Sequence, residues 1–267
     1  MLLPTLVALA ILIPTIAAHA RVTKVTTSKG LVYSGWDPAA AQSGDPLPDI
    51  AAWSASNLGN IFVEPSRFNT SDIACHYDAA PGALHVNTTA GETLNLTWNE
   101  WPNSHKGPVL TYMAACNGSC AHADKKTLEW VKIDESGWLN SSGWTALGGT
   151  WASDVLLANG ASWQVKIPER LAVGNYVLRH EILALHAAEQ VNGAQAYPQC
   201  VNLRVKRGAV GNPQSQELGE GVVASKLYSI RDKGILVDIH GNITGYSIPG
   251  PKLWSLASPI KQPNEKR

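Results

Sequence analysis

Apolar and polar residues alternate with a period of two in several short stretches of this chain. Leu94, Leu96 and Trp98 alternate with polar neighbours, as do Trp163, Val165 and Ile167, and then Val201, Leu203 and Val205. Successive strand side chains point to opposite faces, so each run predicts a strand with one buried face. The stretch YVLRHEI (176–182), after the turn-forming Gly174-Asn175, predicts a further strand. No long segment repeats at 3.6 residues, and Gly, Pro, Asn and Asp punctuate the chain at short intervals. The pattern predicts an all-β fold, a β-sandwich with long decorated loops. Residues 34–60, with Pro38, Pro46 and Pro48, predict one such loop, and 206–225 form a polar, Gly-containing segment. From about 252 to 267 the chain closes in a Pro-rich coat and the charged tail NEKR. There is no internal repeat and no Ser/Thr-rich linker, so one domain is expected.

The longest apolar run lies at the start. Residues 2–18, LLPTLVALAILIPTIAA, are uncharged and end in Ala17 and Ala18, the shape of a secretory signal peptide cut after Ala18. Pro4 and Pro14 interrupt the run, it is short beside the ~20 residues of a bilayer span, and no basic cluster flanks it. These features argue against a retained anchor. Cleavage after Ala18 removes residues 1–18, leaves a secreted domain 19–267 and makes His19 its first residue; cleavage after Ala20 would discard His19. An N-terminal histidine offers its freed α-amine and its ring Nδ1, which together close a chelate ring on one metal ion. Inside a polypeptide that amine is an amide, and the chelate is lost.

Charge balances at 21 basic against 21 acidic residues. That gives no basic footprint for nucleic acid and no polybasic patch for a membrane. Four cysteines in an exported chain predict two disulfides, with three pairings open. Cys116 and Cys120 can close a small turn, while Cys75 with Cys200 would tie distant parts of the chain together. A C-x₃-C pair also suggests zinc, but no second pair of matched spacing supports it. Sequons at Asn69, Asn87, Asn117, Asn140 and Asn242 predict glycosylation, while a sixth, at Asn95, falls in a predicted strand. Ten tryptophans are enough to fill a core and still leave rings exposed for stacking on sugars.

His19 needs partners to hold a metal. The segment WPNSHKGPV (101–109) presents His105 between prolines in a loop, and GAQAYPQC (193–200) presents Tyr197 beside a proline and three residues from a cysteine. His186 and Gln195 lie close to Tyr197 in sequence. Two histidines supplying three nitrogens, with a phenol nearby, suit copper, because Cu(II) prefers tetragonal N/O coordination. Zinc would more typically take a closed tetrahedral Cys/His set. Without a further constraint, satisfied structural histidines are the default reading.

Several segments occurring in order supply that constraint. His19 at the leader boundary, WPNSHKGPV, WASDVLLAN (151–159), GNYVLRHEILALH (174–186), GAQAYPQC and IPGP (248–251) together resemble the fungal lytic polysaccharide monooxygenases of auxiliary-activity family 9, once glycoside hydrolase family 61. The resemblance runs from His19 to about Pro251. It implies an immunoglobulin-like (fibronectin-III-like) β-sandwich and disulfides Cys75–Cys200 and Cys116–Cys120; with no Ser/Thr-rich linker to a second module, no carbohydrate-binding module is expected. It also implies one copper held by His19 and His105 with Tyr197 axial, while His186 and Gln195 orient oxygen or hydrogen peroxide and supply protons. The implied substrate is cellulose or a related β-1,4-glucan, cut by C1 or C4 hydroxylation, with a small-molecule or enzymatic electron donor and a monomeric enzyme.

Three positions depart from the family's pattern. Lys106 stands where many members have a second histidine, and Ala20 stands where glycine is common. His240, in VDIHGN (237–242), replaces a tyrosine of the flat substrate face, so it is the candidate substrate contact there. The 34–60 loop lacks a tyrosine as well; Trp36 and Trp53 are the possible substitutes, although a core role is expected for both. His180 reads as a hydrogen-bonded interior residue, and His76, His85 and His122 as surface or structural ones. Glu181 and Asp154 read as ordinary strand-end carboxylates, because no pattern pairs them as a hydrolase's acid and base. The alternative function is a non-catalytic copper- or carbohydrate-binding sandwich, and a conventional glycoside hydrolase ranks last.

Overall fold

The computed structural model describes residues 20–44, 46–57, 61–141, 147–208 and 215–265. In chain order its strands are β1 (Val22–Thr27), β2 (Val32–Ser34), β3 (Val86–Thr89), β4 (Thr93–Trp98), β5 (Val109–Ala115), β6 (Glu129–Ser136) and β7 (Trp138–Asn140). They continue with β8 (Thr150–Trp151), β9 (Ser162–Lys166), β10 (Gly174–Ala184), β11 (Gln195–Ala196), β12 (Gln199–Lys206) and β13 (Val222–Val223). One sheet is ordered β2-β1-β4-β9. The other is ordered β13-β6-β5-β10-β12-β3, with β11 also paired to β10. Pairing is antiparallel except between β12 and β3, and β7 and β8 form a separate ribbon. This is the immunoglobulin-like β-sandwich that the resemblance implies.

The period-two runs become strands for the reason the alternation suggests. Leu94, Leu96 and Trp98 of β4 and Trp163 and Val165 of β9 turn inward, against Met113, Leu178, Ile182 and Leu203 of the facing sheet. Their polar neighbours stay half exposed. Strand β10 behaves differently, since every residue from Tyr176 to Ala184 is buried. Tyr176, Leu178 and Ile182 face the sandwich core, while Val177 and Leu183 enter a second core on the outer face of the same sheet. Trp53, Val63, Phe68, Ile73 and Tyr228 build that second layer from the long connections, joined by Trp151 of β8. Cys75–Cys200 ties one of those loops to β12, and Cys116–Cys120 closes the turn after β5.

A buried ionic cluster sits in the second layer. Arg179 and Glu181 are both fully buried. They form a two-pronged pair through Nη1–Oε1 at 2.5 Å and Nη2–Oε2 at 2.8 Å. The guanidinium also donates to the carbonyls of Ile73 and Ala74, and the Tyr228 hydroxyl donates to Glu181. Glu181 is therefore mid-strand and paired, and Asp154 lies in the first turn of helix α3 (Ala152–Ala158); neither is a strand-end carboxylate. Here α3 is numbered after the short helices α1 (Pro38–Gln42) and α2 (Asp72–Cys75). His180 is interior as expected, with Nδ1 2.9 Å from Thr111 Oγ1.

Tryptophan serves the core more than the surface. Trp53, Trp98, Trp101, Trp130, Trp151 and Trp163 are buried, and Trp36, Trp138 and Trp254 are half buried. Trp53 takes the core role expected of it, with its indole N–H donated to Asn202 at 2.6 Å. Trp36 is only partly covered and donates to the Ala55 carbonyl at 2.8 Å. No described tryptophan stands exposed as a free stacking platform. Among the described residues no helix is long and apolar enough to cross a membrane. The tail is docked: the Gln262 side chain mimics a peptide group against the edge strand β9, accepting from Gln164 N at 2.9 Å and donating to its carbonyl at 2.8 Å.

One core carboxyl predicts a pH effect. Asp134 on β6 is pushed up to about 7, chiefly by burial, although it accepts the Trp163 indole N–H at 2.8 Å. Glu135 and Glu265 push it in the same direction as burial. A carboxyl whose folded pKa exceeds its unfolded value of ~3.9 contributes stability that is complete below that value. The contribution is lost as the pH rises to about 7. Asp134→Asn keeps an acceptor for Trp163 and cannot ionise. The variant should lose that decline and exceed the wild type above pH 7 by on the order of a few kcal/mol. Denaturant midpoints from pH 4 to 8 test this, and parallel curves for the two proteins would refute it.

Candidate active site

Three segments meet at one end of the sandwich. The β4–β5 loop carries His105, the end of β10 leads directly into His186, and β11 with the residue after it carries Gln195 and Tyr197. Antiparallel pairing sets Gln195 opposite Ala184 and Ala196 opposite Leu183, and Tyr197 N donates to Ile182 O at 3.0 Å. The His105 loop is stitched to the same strand, since Leu185 N donates to Lys106 O at 2.8 Å. Gly107 permits this approach: a Cβ there would lie 1.8 Å from the Leu183 carbonyl oxygen, so only glycine fits.

The side chains converge accordingly. The His105 and His186 rings lie with centroids 4.0 Å apart and planes tilted by 36°. The Tyr197 hydroxyl donates to Gln195 Oε1 at 2.9 Å, and Gln195 Nε2 faces His186 Nε2 at 3.5 Å. Trp101 forms the floor, edge-on to Tyr197 at 5.0 Å and to His105 at 5.9 Å, and its indole N–H holds the His105 carbonyl at 2.8 Å. Phe62 flanks Tyr197 at 6.1 Å. The pattern WPNSHKGPV contains Trp101, yet sequence alone marked only its histidine as functional.

Electrostatics keep this set neutral. Burial, with some help from His186, lowers His105 to about 4, so its imidazole is uncharged at neutral pH. Burial lowers His186 as well and raises the Tyr197 phenol far above its ordinary value. Nδ1 of His105 lies 3.1 Å from Ser104 Oγ, and Nε2 has no hydrogen-bond partner among the described residues. If Nδ1 donates to Ser104, Nε2 offers a lone pair. His186 Nδ1 is a buried nitrogen also without a partner there. A neutral imidazole lone pair beside a phenol oxygen is a donor set suited to copper.

The structure brings His105, His186, Gln195 and Tyr197 together. His19 lies outside the described residues. The chain just after it is held at the same end: Arg21 N donates to Asn99 Oδ1 at 2.9 Å, Asn99 N donates to Arg21 O at 3.0 Å, and Val22 pairs with Trp98. Among the described residues no cluster of three or more His, Cys, Asp or Glu side chains could hold a metal ion. His240 is exposed on this side of the molecule, with Nε2 3.0 Å from the His186 carbonyl and 3.5 Å from Glu189 Oε2. Asn69, Asn87, Asn117 and Asn242 are exposed and Asn140 is half buried, whereas Asn95 lies inside β4. His76 is buried and His122 exposed, and His85 accepts from Cys120 N at 3.1 Å.

Residues 19–246 match the sequence model of Auxiliary Activity family 9, formerly GH61. This chain belongs to auxiliary activity family 9. It is 44% identical over 252 residues to AA9 family lytic polysaccharide monooxygenase I of Botryotinia fuckeliana, covering 94% of this chain and 90% of the relative. With AA9 family lytic polysaccharide monooxygenase F of Emericella nidulans it shares 46% identity over 243 residues, covering 90% and 92% respectively. Among solved structures, the extended catalytic domain of H. jecorina LPMO9A superposes with a TM-score of 0.80 at 39% identity, over 91% of this chain and 98% of that one. The protein is thus an oxidoreductase of the lytic polysaccharide monooxygenase family, whose work is oxidative cleavage of polysaccharide. Family membership leaves the conventional hydrolase without support.

Proposed function

We propose that this chain is a secreted, copper-dependent monooxygenase acting as a monomer on cellulose or a hemicellulose with the same β-1,4-glucan backbone. The observation that carries the reading is the neutral His105 ring stacked 4.0 Å from His186 in a line that continues through Gln195 to Tyr197. The residues that would hold copper are His19, through its freed amine and Nδ1, His105 through Nε2, and Tyr197 through its phenol oxygen. Bound copper supplies the one-electron redox chemistry that oxygen insertion requires, with electrons from an external donor and oxygen or hydrogen peroxide as co-substrate. His186 and Gln195 orient that co-substrate and deliver protons, and the Tyr197 hydroxyl, by donating to Gln195 Oε1, holds that amide in register. The buried phenol stays protonated and serves as a hydrogen-bond donor. His240 and the exposed loop beside it meet the polymer. Hydroxylation at C1 or C4 makes that carbon expel the glycosidic oxygen, leaving a lactone or a ketone at the new chain end.

The test is product analysis with phosphoric-acid-swollen cellulose and xyloglucan, a reductant, and mature protein beginning at His19. Oxidised oligosaccharides that vanish on chelation and return with copper are expected. Native reducing ends with chelator-resistant activity would overturn the reading. Tight copper binding with no oxidised sugar would favour the non-catalytic binding sandwich.

A further inference from the structure

We propose that Lys106 is a positioning residue of the metal site, clamping the loop that carries His105 to the end of helix α3. The inference rests on the copper-site reading above. Lys106 is buried, although its neighbours Asn103 and Ser104 are exposed. Its ammonium reaches back along the loop to Asn103 Oδ1 at 2.9 Å and across to Asp154 in an ion pair. Asp154 is itself fixed: its other oxygen accepts from Trp151 N at 2.9 Å, capping α3, and Trp151 is a core residue. An ammonium withdrawn from water persists only where partners replace its hydration, so the clamp is specific in geometry.

The other contacts that hold the loop are to its backbone, including the Trp101 indole N–H on the His105 carbonyl. Residues 102–104 add no side chain to either hydrophobic core. The His105 ring makes one polar contact, to exposed Ser104, so the ring goes where the backbone puts it. That backbone is pinned on the far side by Gly107 N to Ser153 Oγ at 3.1 Å and by Leu185 N to Lys106 O. On the near side, Lys106 closes the turn onto Asn103. One residue therefore links the His105 loop, the strand end that precedes His186, and α3. Where many family members place a second histidine after the ligand, this chain uses a cation that ties the ligand loop to a rigid element. Partners one step removed from a metal ligand commonly change metal affinity 10–100-fold when lost.

The experiment uses secreted mature protein, wild type against K106M, D154N and V155A. Copper dissociation constants come from competitive titration, and the Cu(II) spectrum from electron paramagnetic resonance. D154N keeps an oxygen for the Trp151 amide but no charge for the ammonium. V155A removes a core contact from the same helix and serves as the control for lost stability. K106M and D154N should each raise the dissociation constant about tenfold or more and split the spectrum into more than one species. V155A should keep the wild-type spectrum and affinity. A wild-type spectrum and affinity in K106M, or the same change in V155A, would overturn the proposal while leaving the copper site standing. A wild-type protein that binds no copper would remove the copper-site reading and this proposal together.

Discussion

His105→Ala should weaken copper binding by more than about 100-fold and eliminate oxidised product, because even groups one step removed from a metal ligand contribute 10–100-fold. The side chain is half exposed and makes one polar contact, to Ser104. Its loss should therefore leave the melting temperature within a few degrees of wild type. A second variant isolates the other half of the site. One extra residue placed before His19 turns the free amine into an amide, leaves every side chain in place and should have a comparable effect on affinity. Calorimetric titration of the three proteins, with thermal melts alongside, distinguishes the outcomes. Unchanged affinity in either variant would mean that copper is held elsewhere, and the oxidative reading of the site would fall.

Glu181→Ala carries the largest expected effect on stability. Removing it leaves the Arg179 guanidinium fully buried with only the Ile73 and Ala74 carbonyls to accept from it, and the Tyr228 hydroxyl keeps only the Tyr112 hydroxyl as a partner. Breaking a buried ion pair from one side costs about 3–5 kcal/mol. For a chain of this size that corresponds to a fall in Tm of roughly 6–20 °C. Replacing both partners, as in Arg179→Met with Glu181→Leu, removes the orphaned charge and should recover a good part of the loss. A thermal unfolding series on the single and double variants measures the coupling. If the double variant is less stable than Glu181→Ala, the cost does not come from an uncompensated charge.

The same cluster shows where sequence reasoning stopped. In YVLRHEI, Arg179 and Glu181 alternate with Leu178, His180 and Ile182. A period-two pattern assigns such charges to a solvated face. That assignment assumes a sheet with one face in water. Here loops 61–75 and 224–248 cover the outer face and build a second core. The inward face of β10 was legible, because the residues that fill it are local to the strand. Whether the outer face meets water depends on segments at least 40 residues away, one of them on each side of the strand in sequence. Asp154 shows the same limit: it reads as an ordinary strand-end carboxylate, and only folding makes it the partner of Lys106.

By itself the sequence determined the all-β class, the strands β4, β9, β10 and β12, both disulfides through the family resemblance, and which polar residues belong to the candidate site. The strands follow from local alternation and turn chemistry, whereas the disulfides and the candidate site follow from the ordered motifs of the family resemblance. The tertiary structure decided how His105, His186, Gln195 and Tyr197 face one another, because their separation in space is set by β10–β11 pairing and by the approach that Gly107 allows. It decided, too, that Trp101 is the floor of the site, and that most tryptophans fill cores and do not form a sugar platform. The physical reason is common to all of these: a residue's type limits what chemistry it can do, but its burial, charge state and partners come from chain segments distant in sequence.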